Sequence, residues 1–122
     1  MFWNKNKEAS VEIQWVELTQ LNQLDEIVEE SKSQTVLIYK HSTRCSISSM
    51  AMNRLERSWT EEGNKVKAYY LDLIRYREIS NAVADKFRVY HESPQIIIIK
   101  NGETVHHDSH MSISFDDILR FA

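Results

Sequence analysis

One cysteine, one proline and two glycines are all that the 122 residues hold of the amino acids that staple or restrict a chain most strongly. The single cysteine excludes an intramolecular disulfide, and it suits a reducing compartment, where an unpaired thiol persists. It also argues against structural zinc, which needs about four ligands. No charge of one sign dominates: 15 Lys and Arg against 18 Asp and Glu leave a net −3. With no basic cluster interleaved with aromatics, nucleic acid is not an expected partner. The longest apolar runs, around "TVLIY" and "IIII", are far too short to cross a bilayer, so no membrane partner is expected either. The start, "MFWNKNKEAS", has no apolar stretch of the signal-peptide kind, and a cytoplasmic location is expected. No internal repeat, low-complexity tract or linker divides the chain. Residues 1–122 therefore read as one domain, with residues 1–10 expected to be a flexible N-terminal segment.

What is present is enough apolar content, 42%, for a core without staples. Residues 13–18, "IQWVEL", alternate as a short strand does. In the following "TQLNQLDEIVEESKSQ", Thr19 is a candidate N-cap, and Leu21, Leu24, Ile27 and Val28 share one helical face. "TVLIYK" (35–40) is β-branched and nearly continuous in apolar character, as in a strand buried on both faces. From Ser46, the residues Ile47, Ala51, Leu55 and Trp59 recur every fourth position, predicting a helix closed near Gly63. A strand is expected over 65–73 and a helix over 76–89, with Ile79, Val83 and Phe87 as its stripe. "QIIIIK" (95–100) and "ETVHHD" (103–108) flank Asn101-Gly102, a strong hairpin signal. The end, "SISFDDILRFA", reads as a short helix capped by Ser112. The order β-α-β-α-β-α-β-β-α predicts an α/β domain: a mixed central sheet, parallel at first and closed by an antiparallel hairpin, with helices on both faces. That order is similar to the thioredoxin fold, whose reactive cysteine sits between a strand and a helix start.

Cys45, in "HSTRCSIS" (41–48), occupies that kind of position. If a helix starts there, the unpartnered N–H groups of its first turn and its dipole favour thiolate over thiol. Lys40, His41 and Arg44 precede the cysteine with no acid among them, and Ser48 lies three residues on, within reach of the sulfur. The bland alternative is a buried, inert thiol, the commoner fate of a free cysteine; the strand–loop–helix position and the cationic approach favour reactivity. Other cysteine chemistries fit poorly. A phosphatase cradle places an arginine six residues after the cysteine, where this chain has Ala51. His41 is too close in sequence to form the usual protease dyad.

Pro94, in "HESPQIIII", stands just before an apolar strand, where proline cannot join the interior of a ladder. The tract "HHDSH" places His106, Asp108 and His110 on one face of an extended strand. It lacks the ligand spacing of a known metal geometry, so a solvated edge strand is the expectation and no metal site is assigned.

"TRCSIS", the following "SMAMNRLE" and the later "ESPQIIIIKNGE" together resemble the monothiol bacilliredoxin family over nearly the whole chain. These are thioredoxin-like bacterial proteins that use bacillithiol as their small thiol. Members more often carry proline directly after the cysteine, where this chain has Ser46, a departure that bears on the rigidity of the helix start. The resemblance implies that Cys45 is the attacking thiol and that Thr43 and Arg44 support it. Ser48 would hold the place of a dithiol enzyme's resolving cysteine. Pro94 would be a cis-proline, with Ser93 offering backbone groups to a substrate, and Ser109 and His110 would lie beside the cysteine as contacts for the small thiol. It further implies an oxidoreductase with no bound cofactor and bacillithiol as co-substrate. Its partners would be bacillithiolated client proteins, the low-molecular-weight thiol and a dithiol reductase for recycling. Two other readings stand beside it. One is a non-enzymatic thioredoxin-like interaction protein. The other is an iron–sulfur cluster carrier similar to monothiol glutaredoxins, although their Cys-Gly-Phe-Ser site is Cys-Ser-Ile-Ser here.

Overall fold

The computed structural model describes residues 11–122, so the expectation of a flexible segment over residues 1–10 lies outside the described residues. Five strands form one sheet: β1 (Val16–Glu17), β2 (Val36–His41), β3 (Lys67–Asp72), β4 (Gln95–Lys100) and β5 (Glu103–Ser109). Their spatial order is β1-β3-β2-β4-β5. β1 and β2 each pair with β3 in parallel, whereas β4 runs antiparallel to β2 and β5 antiparallel to β4. This is the expected mixed sheet. Four helices complete it: α1 (Gln23–Glu30), α2 (Ser46–Ser58), α3 (Arg77–Phe87) and α4 (Phe115–Arg120).

The alternation of strand side chains assigns each helix to a face. Leu37 and Tyr39 of β2, with Ile96 and Ile98 of β4, pack against Ala51, Met52 and Leu55 of α2 and Ile118 of α4. Val36, Ile38, Ile97 and Ile99 point the other way, onto Leu24 and Ile27 of α1 and Ile79, Val83 and Phe87 of α3. All six residues of β2 are buried, which explains why its sequence is nearly continuous in apolar character.

The differences from the sequence expectation lie at element ends, where tertiary contacts decide. The first strand shrinks from 13–18 to two paired residues; upstream, the Val11 N–H already donates to the Trp59 carbonyl at the end of α2. Thr19 is not an N-cap. Asn22 holds that position without a side-chain bond, and Gln23 Oε1 accepts instead from the Thr19 and Gln20 N–H groups at 2.8 and 2.9 Å. Leu21 and Ile47, both expected in core stripes, are 46% exposed. The buried stripe of α2 runs through Ser48, Ala51, Met52 and Leu55. That helix ends at Ser58, and Gly63 belongs to a separate short 3-10 helix, Glu61–Lys65. At the C-terminus Ser114 caps α4, its Oγ accepting from Asp117 N–H at 3.1 Å, whereas Ser112 lies in a 3-10 turn upstream. The Asn101-Gly102 hairpin holds, with positive φ at both residues (52° and 77°), as a two-residue primed turn requires.

Candidate functional site

β2 ends at His41, and its last pair with β4 joins Lys40 to Gln95, the first residue of that strand. The loop carrying Cys45 leaves β2 there, and Pro94 enters β4 there, so topology brings both to one end of the sheet. The Ser93–Pro94 peptide is cis, as the resemblance implied. Ser109 pairs with Gln95 at the end of β5, and the next N–H, that of His110, donates to the Pro94 carbonyl at 3.0 Å. The turn holding Ser109 and His110 is thereby tied to the proline. Glu92 adds a second tie, accepting from Ser109 Oγ–H at 2.9 Å and lying 3.6 Å from His110 Nδ1. Nothing in the sequence pattern marked Glu92, because its partners lie 17 or more residues away and meet it through the sheet.

Cys45 is the N-cap of α2, with extended backbone (φ −110°, ψ 120°) and a partly buried thiol. Its N–H bonds to the Ser42 carbonyl at 3.2 Å, and its own carbonyl accepts from Ser49 N–H, the first bond of the helix. The first turn of α2 holds no acidic residue, whereas α1, α3 and α4 each carry one or two. The positive end of this helix therefore meets Cys45 without a compensating carboxylate in its own first turn.

The surroundings of the thiol differ from the expected cationic approach. Lys40 is fully buried and points to the α3 face, where Nζ donates to the Ser80 carbonyl at 3.2 Å and lies 3.3 Å from His91 Nδ1. Burial lowers its pKa from 10.5 to about 8. His41 is also buried, and desolvation lowers its pKa, against the opposing pull of Asp72 and Glu56, so it is neutral at pH 7. Arg44 and Thr43 are exposed, leaving Arg44 as the cation at the surface of this loop.

Ser48 is where the structure departs most from the sequence reading. It is fully buried, and its hydroxyl is engaged away from the sulfur. Oγ accepts from Ser42 N–H at 3.1 Å and lies 2.8 Å from His41 Nδ1. With neutral His41 in its Nε2–H tautomer, Nδ1 accepts a hydrogen bond from the Ser48 hydroxyl. The Tyr39 hydroxyl donates to the Ser48 carbonyl at 3.2 Å, and burial raises the Tyr39 pKa. Tyr39, His41, Ser42 and Ser48 thus form a clasp that fixes the Cys45 loop to the first turn of α2. The sequence marks His41 as part of a cationic approach and sets it aside as a dyad partner; its bond to Ser48 is not legible there. A second clasp comes from Arg54, which donates to the carbonyls of Met111 (3.1 Å) and Ile113 (2.6 Å) and holds the turn after β5 against α2. Ser93 Oγ, beside the cis bond, is buried without a hydrogen-bond partner among the described residues.

The tract of alternating histidines does not act as one set. His110 turns off with φ 55° toward Glu92, while His106 and Asp108 remain together, His106 Nε2 lying 2.9 Å from Asp108 Oδ2. No helix among the described residues is long and apolar enough to cross a membrane.

Comparison with known proteins agrees with this geometry. A solved structure described as having a thioredoxin fold is 30% identical, covering 87% of this chain and 91% of its own, with a TM-score of 0.74. Thioredoxin of Malassezia sympodialis is 21% identical over 77% of this chain and 76% of that one, TM-score 0.63. Thioredoxin f of spinach chloroplast is 16% identical over 94% and 95%, TM-score 0.63. These two show the shared fold. The family model for monothiol bacilliredoxin BrxC matches residues 16–118, which take in the cysteine loop, the cis-proline and the turn after β5. The chain belongs to the monothiol bacilliredoxin family, a family of thioredoxin-like thiol redox proteins.

Proposed function

We propose that this protein removes bacillithiol from mixed disulfides on client proteins, through an adduct carried on Cys45. The observation that carries the reading is a lone cysteine at the start of α2 with Ser48, three residues on, fully buried and bonded to His41 and Ser42. No internal thiol can resolve a disulfide formed at Cys45. A protein–protein mixed disulfide would stall, whereas a client already linked to a small thiol gives a complete exchange.

In that exchange the Cys45 thiolate attacks the bacillithiol sulfur of the mixed disulfide. The Cys45–bacillithiol disulfide forms, the client–bacillithiol bond breaks, and the client leaves as a thiolate. A second bacillithiol, or a dithiol reductase, then attacks the adduct and returns Cys45 to thiolate. No bound metal or organic cofactor takes part. The neighbouring residues have roles in substrate placement. Backbone groups of Ser93, next to cis-Pro94, receive the extended chain around the client sulfur. Thr43 and Arg44 flank the thiol, and Arg44 offers a cation to an anionic group of the small thiol. Ser109 and His110, tied to Glu92 and Pro94, line the side where the small thiol sits. Ile47, Met50 and Met111, 46%, 58% and 57% exposed, supply apolar surface for a protein client. The cytoplasm, where mixed disulfides with the small thiol form and are repaired, is the matching location.

The test mixes reduced protein with a client carrying one bacillithiol adduct and follows both intact masses over time. The expected result is loss of the adduct from the client as Cys45 gains it, and no transfer with Cys45→Ala. A client that keeps its adduct while Cys45 stays unmodified would refute the reading. A parallel glutathionylated client measures small-thiol preference.

A further inference from the structure

On the α4 side of β5, one imidazole and one carboxylate of β5 converge with a carboxylate of α4. His106 Nε2, an Asp108 oxygen and an Asp117 oxygen of α4 all lie within 4.8 Å of one another. Two features of the fold build this arrangement. The β4–β5 ladder pairs Ile98 with His106 but Ile99 with Thr104, leaving Val105 as the extra residue of a bulge. Thr104 faces α3, where its hydroxyl bonds the Phe87 carbonyl. Without the bulge His106 would face the same way; with it, His106 and Asp108 pair across from Ile98 and Ile96 and face α4. Re-aiming of side chains is what bulges do at functional sites. The His106 ring is then stacked on Phe121, 5.1 Å between centroids and 23° between planes, which fixes the plane in which Nε2 points.

We propose that His106, Asp108 and Asp117 bind a divalent transition-metal ion, with Zn2+ the best match to one nitrogen and two carboxylate oxygens. Three protein ligands and water in the fourth position make a tetrahedral site. Bonds of about 2 Å put tetrahedral ligands roughly 3.3 Å apart. The His106–Asp108 pair, at 2.9 Å, is already close to that spacing. Asp117 closes the set by a side-chain rotation. It gives up only a bridge to Arg120 at 3.0 Å, in which the arginine is 66% exposed, and such surface pairs hold weakly. Its backbone N–H stays on the Ser114 cap, so the helix start does not move. The ion would lock the end of β5, just before the Ser109–His110 turn, onto the C-terminal helix.

The test uses the full chain with Cys45→Ser, so that the thiol cannot compete for metal. Co2+ is titrated with visible absorption as the readout, and Zn2+ by calorimetry. One equivalent should bind and raise the melting temperature. Asp117→Asn, nearly isosteric, and His106→Ala should each weaken binding at least about ten-fold, the effect usual even for outer partners of a ligand. Arg120→Ala should tighten it roughly two- to five-fold by freeing Asp117. No saturable binding below millimolar metal, or equal affinity in a folded Asp117→Asn protein, would overturn the proposal. Binding by the unsubstituted protein that disappears with Cys45→Ser would also overturn it, by assigning the metal to the thiol.

Discussion

At the scale of single residues, Ser48 fixes the Cys45 loop with one hydroxyl. This buried group joins Ser42 N–H to His41 Nδ1. Ser48→Ala removes both bonds at once and leaves a partly buried N–H and a buried imidazole nitrogen without these partners. Each such loss costs about 1–3 kcal/mol, so urea unfolding should show destabilisation of at least about 1 kcal/mol. Adduct transfer to Cys45 should persist, because the hydroxyl is not the resolving group. If Ser48→Ala leaves stability unchanged and abolishes transfer, Ser48 acts on the sulfur and the clasp is secondary. The place of Cys45 at a helix start was legible from "TVLIYKHSTRCSIS" alone, since strand period, loop and helix period follow one another there. The directions of Lys40, His41 and Ser48 were not. They depend on which sheet face each residue takes and on what has been packed there, and a local window contains neither.

At the scale of elements, the helices and strands were readable because each has one buried face with a regular period, and their ends were not because long-range contacts set them. Gly63 shows why. Its place after a helical stripe predicts a C-cap, yet its function is packing. A Cβ there would meet Trp59 Nε1 at 2.7 Å and Phe115 Cε1 at 2.8 Å, with Trp59 Cε2 closer still. Trp59 is 1% exposed, and its ring lies 5.0 Å from that of Phe115. This contact joins the end of α2 to the start of α4, so the absent side chain is what lets the two helices share one face of the sheet. Gly63→Ala should cost about 1–3 kcal/mol by overpacking, with an altered near-UV dichroism from Trp59. Equal stability and an unchanged aromatic spectrum would contradict the tight contact. The edge strand β1 was over-read for a related reason. Ile13 and Leu18 are both buried, but in the cores on opposite faces of the sheet; the Leu18 N–H still donates to the Tyr70 carbonyl of β3 at 2.8 Å, whereas Val11 upstream already bonds Trp59 instead.

At the scale of the whole molecule, costly polar burial is concentrated at the Cys45 end. Lys40, His41, Ser48, Ser80 and Gln95 are buried there, against Ser31 and Thr35 elsewhere. Lys40 is the most expensive of them: it is charged, fully buried, and bonded to a carbonyl and to His91. Burial, then Lys40 and Arg77, lower the His91 pKa, so it serves as a neutral acceptor. In return Lys40 anchors the segment before the cis-proline from one side, while Gln95 holds it from the other through the Tyr90 carbonyl and Glu92 N–H. The consequence is a stability profile with a definite sign. The unfolded lysine titrates near 10.5 and the folded one near 8, so between these values the unfolded chain binds more protons and stability rises with pH. The full span corresponds to about 3 kcal/mol. Above about pH 10 the trend reverses, because burial raises the pKa values of Tyr39 and Tyr69 and their unfolded hydroxyls ionise first. Urea unfolding from pH 7 to 9.5 should therefore show increasing stability, roughly following the lysine titration. Lys40→Met, similar in length and without charge, should remove the rise and be more stable than the parent at pH 7 by about 1–3 kcal/mol. Its adduct transfer should be slower if the Lys40–His91 contact positions the segment before Pro94. A parent protein whose stability is flat over that range, or a methionine variant less stable at pH 7, would mean that Lys40 is not held as a buried charge.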